Sequence, residues 1–174
     1  LPRQSVLILM SNTGDGHRTS AEALRSGFEH SFPGRFEIEI IDLLIDHLPQ
    51  PLSQLPKTYA SLTNHLPRLW QWMWNAGASQ RVINPLAAAA SRIVRNDLVQ
   101  LFADRRPNLI ISVHPLIQHI VLDALSQRRL RYSGARRIPF VTVVTDLATA
   151  HPTWFHPGID LCFVGSQEVR QQAM

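Results

Sequence analysis

One histidine stands where a general base would be useful. His17 sits in Ser11-Asn12-Thr13-Gly14-Asp15-Gly16-His17-Arg18-Thr19-Ser20, directly after the apolar run Val6 to Met10. Imidazole exchanges a proton near neutral pH. A base must also reach the proton it removes. Gly14 and Gly16 are predicted to turn the backbone sharply and to keep side chains away from anything that docks there. Four further titratable side chains, Asp42, His114, Asp146 and His151, each follow closely on an apolar run. Asp146 could orient an imidazole or a nucleophile. His114, His151 and Asp146 could in principle share a metal ion, but they lie on separate segments with no recognised ligand spacing, and no metal is expected.

The elements that must position these groups follow from periodicity. Val6–Met10 reads as a parallel strand covered on both faces. A helix is predicted from Arg18 to His30, with Ala21, Leu24 and Phe28 on one face. Phe36 to Asp42 alternates as a half-buried strand. Pro49, Pro51 and Pro56 argue for an irregular connection from Ile45 to Pro56. Tyr59, Leu62 and Leu66 share a helical face. Pro67 then starts a second short helix carrying Leu69, Trp70, Trp72, Met73 and Trp74. Leu86 to Phe102 reads as a long helix ended by Pro107. Leu109–Val113 is a strand, Leu116–Ser126 a helix, Phe140–Val144 and Leu161–Val164 strands, and Ser166 caps a last helix. Strands alternating with helices predict a doubly wound parallel sheet. Such a sheet gathers the carboxyl ends of its strands on one edge, so His17, Asp42, His114, Asp146 and His151 are predicted to converge.

Composition narrows the classes. The chain has 174 residues, 45% hydrophobic and 17% charged, which suits one domain with a real core. Net charge is +4, and Lys57 is the only lysine. Arginine prefers phosphate and carboxylate partners. Arg128, Arg129, Arg131, Arg136 and Arg137 crowd one stretch around Gly134. This stretch reads either as a solvated loop or as a site for anionic lipid or phosphate. Trp70, Trp72 and Trp74 are either core or membrane-interface residues. Cys162 reads as a buried structural thiol. No apolar run approaches a membrane span, and no signal peptide is visible. The expected location is cytosolic, with membrane contact allowed.

Two other readings rest on the same residues. Gly14 to Thr19 approaches the dinucleotide fingerprint, with Asp42 placed where a ribose-binding acid would sit. Thr19 replaces the third glycine, however, and Asp15 would place negative charge beside a pyrophosphate. A nucleic-acid surface is weaker still, because aromatic and basic residues do not interleave.

The motifs resemble a known family. Ser11 to Ala23 is similar to the opening loop of monogalactosyldiacylglycerol synthases. Thr145-Asp146-Leu147-Ala148-Thr149-Ala150-His151-Pro152-Thr153-Trp154-Phe155 resembles a second signature of the same enzymes, with Ser112-Val113-His114-Pro115 between them. The resemblance runs from about residue 5 to the end. It implies the N-terminal, acceptor-binding Rossmann-like half of a GT-B type glycosyltransferase, covering residues 1–174, with the nucleotide-sugar domain outside this chain. The implied reaction is inverting transfer of a hexose, galactose or glucose, from a UDP-sugar to diacylglycerol, without a cofactor. His17 matches the family's base. Gly14, Gly16, His114, Asp146, His151, Trp154, Trp70 and Trp74 are implied on the acceptor and lipid side, and the five arginines would meet an anionic membrane from its cytoplasmic face. The fragment alone is expected to be inactive. The family has glycine where this chain has Asp15; an acid beside His17 would raise its pKa or suit a different acceptor. The rival classes are a nicotinamide-dependent oxidoreductase domain and a non-enzymatic peripheral lipid-binding module.

Overall fold

The computed structural model describes residues 2–12, 15–47, 65–66, 68–69, 71–72, 75, 79–131, 134 and 136–174. In chain order the elements are β1 (Gln4–Met10), α1 (Asp15–Ser31), β2 (Phe36–Asp42), α2 (Leu43–His47), α3 (Gln80–Arg105), β3 (Leu109–Ser112), α4 (Gln118–Arg131), β4 (Phe140–Val143), a 3-10 turn (Pro152–Trp154), β5 (Leu161–Phe163) and α5 (Gln167–Gln172). The strands form one sheet in the order β2-β1-β3-β4-β5, every neighbouring pair parallel.

Residues alternate across the sheet with period two, and each face has its own core. Leu7, Leu9, Ile110 and Phe140 pack under Leu43, Val94, Leu98, Phe102 and Val121, contributed by α2, α3 and α4. Val6, Ile8, Met10, Ile111 and Val113 point the other way, onto Ala21, Leu24 and Phe28 of α1. Helices on both faces explain why Val6 to Met10 is an unbroken apolar run.

Several boundaries differ from the sequence expectation, each for a local reason. α1 begins at Asp15 rather than Arg18, so Gly16 and His17 lie in its first turn. Gly16 has no positive φ, and a Cβ there would meet nothing within 4 Å. It is therefore not required by a turn; it leaves the space before His17 empty. Gly14 lies outside the described residues. α2 replaces the first part of the expected irregular connection, because Asp42 Oδ1 accepts from Ile45 N at 3.2 Å and starts the helix. α4 continues to Arg131, so three of the clustered arginines sit in a helical last turn and not in a loop. Cys162 is half-buried rather than buried, with desolvation pushing its thiol up.

α3 is longer than the sheet is deep. Its C-terminal end is fixed at the amino edge, where Arg106 takes a left-handed φ of 45° and Asn108 exchanges two hydrogen bonds with Ser5, at 2.7 and 2.8 Å. Its described buried residues begin at Ser91; Arg81, Pro85, Ala88 and Ala89 are exposed. The helix runs antiparallel to the strands, so its N-terminal part, residues 80–89, about 15 Å long at 1.5 Å per residue, lies toward the carboxyl edge. The described residues just before α3 include Leu66, Leu69 and Trp72, all exposed, with Trp72 at 67%. Trp70 and Trp74 lie outside the described residues. No helix of the described residues is long and apolar enough to cross a membrane.

Candidate functional site

The sheet order reverses at β1, which has β2 on one side and β3 on the other. A crevice opens outside the strand ends at such a point. The first turn of α1 puts His17 there. Its Nδ1 lies 2.8 Å from the Val113 carbonyl oxygen, just past β3. A carbonyl only accepts, so Nδ1 carries the proton and donates it. The neutral imidazole then keeps its lone pair on Nε2. Thr145 Oγ1 lies 3.4 Å from the same Nδ1 and serves as a second, longer acceptor. Burial pushes the His17 pKa below the usual histidine value; the Val113 carbonyl and then the Asp146 carboxylate act against that shift. The result is a ring that is neutral at pH 7 and whose protonated form has two groups to stabilise it.

His114 backs this ring edge-on, with centroids 4.6 Å apart. It is 2% exposed, and its Nδ1 accepts from Leu116 N at 3.3 Å. Burial, helped by the nearby His17, holds its pKa down to about 3. Ser112 Oγ accepts from His114 N at 3.3 Å and lies 3.4 Å from Gln118 Oε1, which ties the loop to the start of α4.

Asp146 is fixed from below. Trp154, 0% exposed, donates its indole N–H to Asp146 Oδ2 at 2.6 Å, and its ring lies 6.3 Å from His17. The 3-10 turn holds Trp154 in place. His151 starts that turn: its Nδ1 accepts from Thr153 Oγ1 at 2.7 Å and from Thr153 N at 3.3 Å.

The structure brings His17, His114 and Asp146 together, as the convergence of strand ends predicts, and adds Trp154, which that convergence does not include. His114, His151 and Trp154, expected on the acceptor side, are all buried and hydrogen-bonded, with His114 packed on the His17 ring and Trp154 bonded to Asp146. Asp42 is also spoken for. It is buried, with Oδ2 accepting from Asn12 N at 3.0 Å and Oδ1 from Ile45 N, so both oxygens already serve to hold the loop after β1 and the start of α2. Among the described residues no three His, Cys, Asp or Glu side chains are grouped to hold a metal ion. Asp15 begins α1, and its side chain lies outside the described residues.

The five arginines are placed elsewhere. Arg128, Arg129 and Arg131 end α4, while Arg136 and Arg137 precede β4. That is the amino edge of the sheet, opposite His17. Arg131 donates to Asn96 Oδ1 at 2.7 Å, and Arg137 pairs with Asp160.

Val113 and Thr145 are the functional groups that residue types alone do not reveal. Val113 acts through its backbone carbonyl, which leaves no trace in side-chain chemistry; Thr145 is signalled only by its place beside Asp146.

Fold and site together define a Rossmann-like α/β domain of the kind found in glycosyltransferases, with His17 at the edge where such sheets bind ligands. The family model for monogalactosyldiacylglycerol (MGDG) synthase matches residues 17–174, and the chain belongs to that family. Relatives include a probable monogalactosyldiacylglycerol synthase, chloroplastic, of Nicotiana tabacum, 42% identical over 99% of this chain, and monogalactosyldiacylglycerol synthase 1, chloroplastic, of Arabidopsis thaliana, 43% identical over 98%. The Spinacia oleracea enzyme is 43% identical over 97%. This chain spans 31% of the length of each of the three.

Proposed function

We propose that this chain is the acceptor-side domain of an inverting hexosyltransferase that moves galactose from UDP-galactose to diacylglycerol at a membrane surface. The observation that carries the reading is the His17–Val113 hydrogen bond at the sheet's switch point. It fixes the tautomer that leaves Nε2 free to accept a proton. The acceptor hydroxyl gives its proton to Nε2 as its oxygen bonds to the anomeric carbon. The bond from that carbon to the UDP oxygen breaks, and UDP leaves with the electron pair. One displacement inverts the anomeric centre. Asp146 favours the imidazolium that forms, and the open space before Gly16 lets the acceptor approach.

The relatives' names support galactose and a diacylglycerol acceptor. The UDP-sugar is held mainly by a second domain outside this chain, so the domain alone is inactive. Attachment is peripheral, with the cytoplasmic face the expected side. Exposed apolar residues on the carboxyl edge support lipid contact there: Leu116 and Leu147 flank the site, and Trp72 belongs to the segment before α3. The engagement of Asp42 argues against a nicotinamide-dependent reading. In the complete enzyme, His17→Ala should lower turnover by about 10²–10⁴, the usual worth of a general base, with UDP-galactose binding unchanged. Near-normal turnover at neutral pH would overturn the assignment.

A further inference from the structure

The segment that carries Asp146 has no regular structure of its own. Residues 144–151 lead from the end of β4 to the 3-10 turn without helix or strand. Val144 N donates to the Phe163 carbonyl at 2.9 Å, which ties the start of the segment to β5. Among the described residues, the backbone of residues 145–150 makes only two hydrogen bonds, and both go to one side chain. Gln172 Oε1 accepts from Ala150 N at 2.9 Å, and its Nε2 donates to the Ala148 carbonyl at 3.2 Å. The partners decide which end of the amide is which, since an N–H needs the oxygen and a carbonyl needs the nitrogen.

The helix that bears Gln172 is seated for this contact. Ser166 Oγ caps α5 by accepting from Val169 N at 3.2 Å. Val169 is fully buried in a cluster with Ala150 and Trp154. Gln172 follows three residues later on the same helical face, so the packing of Val169 also turns Gln172 toward the segment. Gly165, just before the cap, approaches it from the other side: a Cβ there would come 2.8 Å from Leu147 Cδ2. The Asp146 carboxylate has its own bond from the Trp154 indole. That bond aims the carboxylate; it does not hold the backbone on either side of it.

We propose that Gln172 is a positioning residue: its carboxamide braces the backbone of residues 148–150 and thereby keeps Asp146 within electrostatic reach of His17. That role rests on His17 as the base, whose imidazolium Asp146 favours. The bracing calls for glutamine in particular. Glutamate has no donor for the Ala148 carbonyl, asparagine is one methylene shorter, and an apolar chain has neither group. With the brace removed, residues 145–150 keep no backbone hydrogen bond among the described residues, and the carboxylate drifts toward water, where its charge is screened.

NMR titration of the intact protein with labelled histidines is the test, because it reads His17 without substrate. Gln172→Met keeps chain length and helix propensity and removes both bonds. The side chain is exposed, so the fold tolerates the change. The His17 pKa should fall in Gln172→Met and stay in place in Gln171→Met, the neighbouring exposed position. In an Asp146→Asn background Gln172→Met should move it no further, because the group it acts through is gone. His114 does not blur the reading: with a pKa of about 3 it stays neutral over the range titrated. In the complete enzyme Gln172→Met should lower kcat about tenfold, the worth of two hydrogen bonds, with KM and circular dichroism unchanged. A fall in the His17 pKa that vanishes in the Asp146→Asn background supports the brace. An unmoved or raised pKa overturns it, whatever happens to stability or kcat, and so does a fall that persists without the Asp146 charge. Failure of the base assignment is a separate result: it appears as normal turnover in His17→Ala and leaves this titration readable.

Discussion

His17 and Val113 are 96 positions apart in the chain, yet the imidazole Nδ1 lies 2.8 Å from the Val113 carbonyl oxygen. A backbone group cannot rotate away as a side chain can. The tautomer of His17 is thus set by β3, and β3 is set by the sheet. The nitrogen left with a lone pair, Nε2, is chosen by the fold rather than by a neighbouring acid.

That choice predicts a pH profile. Only neutral His17 accepts a proton, so kcat/KM of the complete enzyme should rise with pH through a limb below the ordinary histidine value and stay flat above it. Asp146 raises the His17 pKa, so Asp146→Asn should move the limb to lower pH. It should also lower kcat, because the imidazolium loses a stabilising charge. A limb that stays put in Asp146→Asn would break the electrostatic link between the two residues.

Acid should destabilise the fold through His114. Its folded pKa of about 3 lies below the unfolded value of 6.5. Between those values the unfolded chain binds the extra proton, so stability falls as pH drops from about 6.5. The slope should approach 1.4 kcal/mol per pH unit for this one group. Urea unfolding at pH 7 and pH 5 would measure it. His114→Asn should be less stable at pH 7 but should show a shallower slope; an unchanged slope would assign the acid sensitivity elsewhere.

Trp154 can be separated from its packing. Trp154→Phe keeps an aromatic ring in a fully buried place and removes the N–H that reaches Asp146. A hydrogen bond to a charged group is worth about 1.5–3 kcal/mol. Denaturant titration should show a loss of that size, and activity should fall in kcat more than in KM. Equal stability of the two proteins would mean that water replaces the indole.

Lipid contact should follow the carboxyl edge. Leu116 and Leu147 are exposed there, Trp72 is exposed in the segment before α3, and the arginines lie at the other edge. Replacing the three with serine should abolish salt-resistant binding to neutral vesicles in a sedimentation assay, since each apolar side chain buried is worth about 1.5–3 kcal/mol. Arg129→Gln with Arg136→Gln should leave that binding intact. Binding to neutral vesicles that follows the arginines instead would reverse this orientation.

Much of this arrangement is legible in the residue pattern. Phe36–Asp42 alternates cleanly and forms β2 with those bounds, and Ser166 caps α5 through Val169 N at 3.2 Å. His17 and Asp146 are legible because a doubly wound sheet brings its strand ends together. What the pattern does not carry is burial. His114, His151 and Trp154 carry reactive or amphipathic side chains, and residue type says nothing about which of them a loop buries. Arg128 to Arg137 reads as one charged surface, but α4 and β4 divide it between a helix end and a strand start. The start of α1 is hidden because Asp15 and Gly16 are poor helix formers, yet both lie in its first turn.

A rod clamped along half its length and bare along the rest is a lever. The buried half of α3, from Ser91 to Phe102, is the clamped part, and the exposed Arg81, Pro85, Ala88 and Ala89 mark the arm. A sideways push on the arm turns into torque on the clamp, and the clamped half ends beside Asn108 and Ser5 at the far edge of the sheet. Pro85 limits how much passes, because a proline inside a helix removes one hydrogen bond and weakens the rod at that point. The turn at Pro85 is thus where the helix would bend first, before the part packed on the strands is loaded.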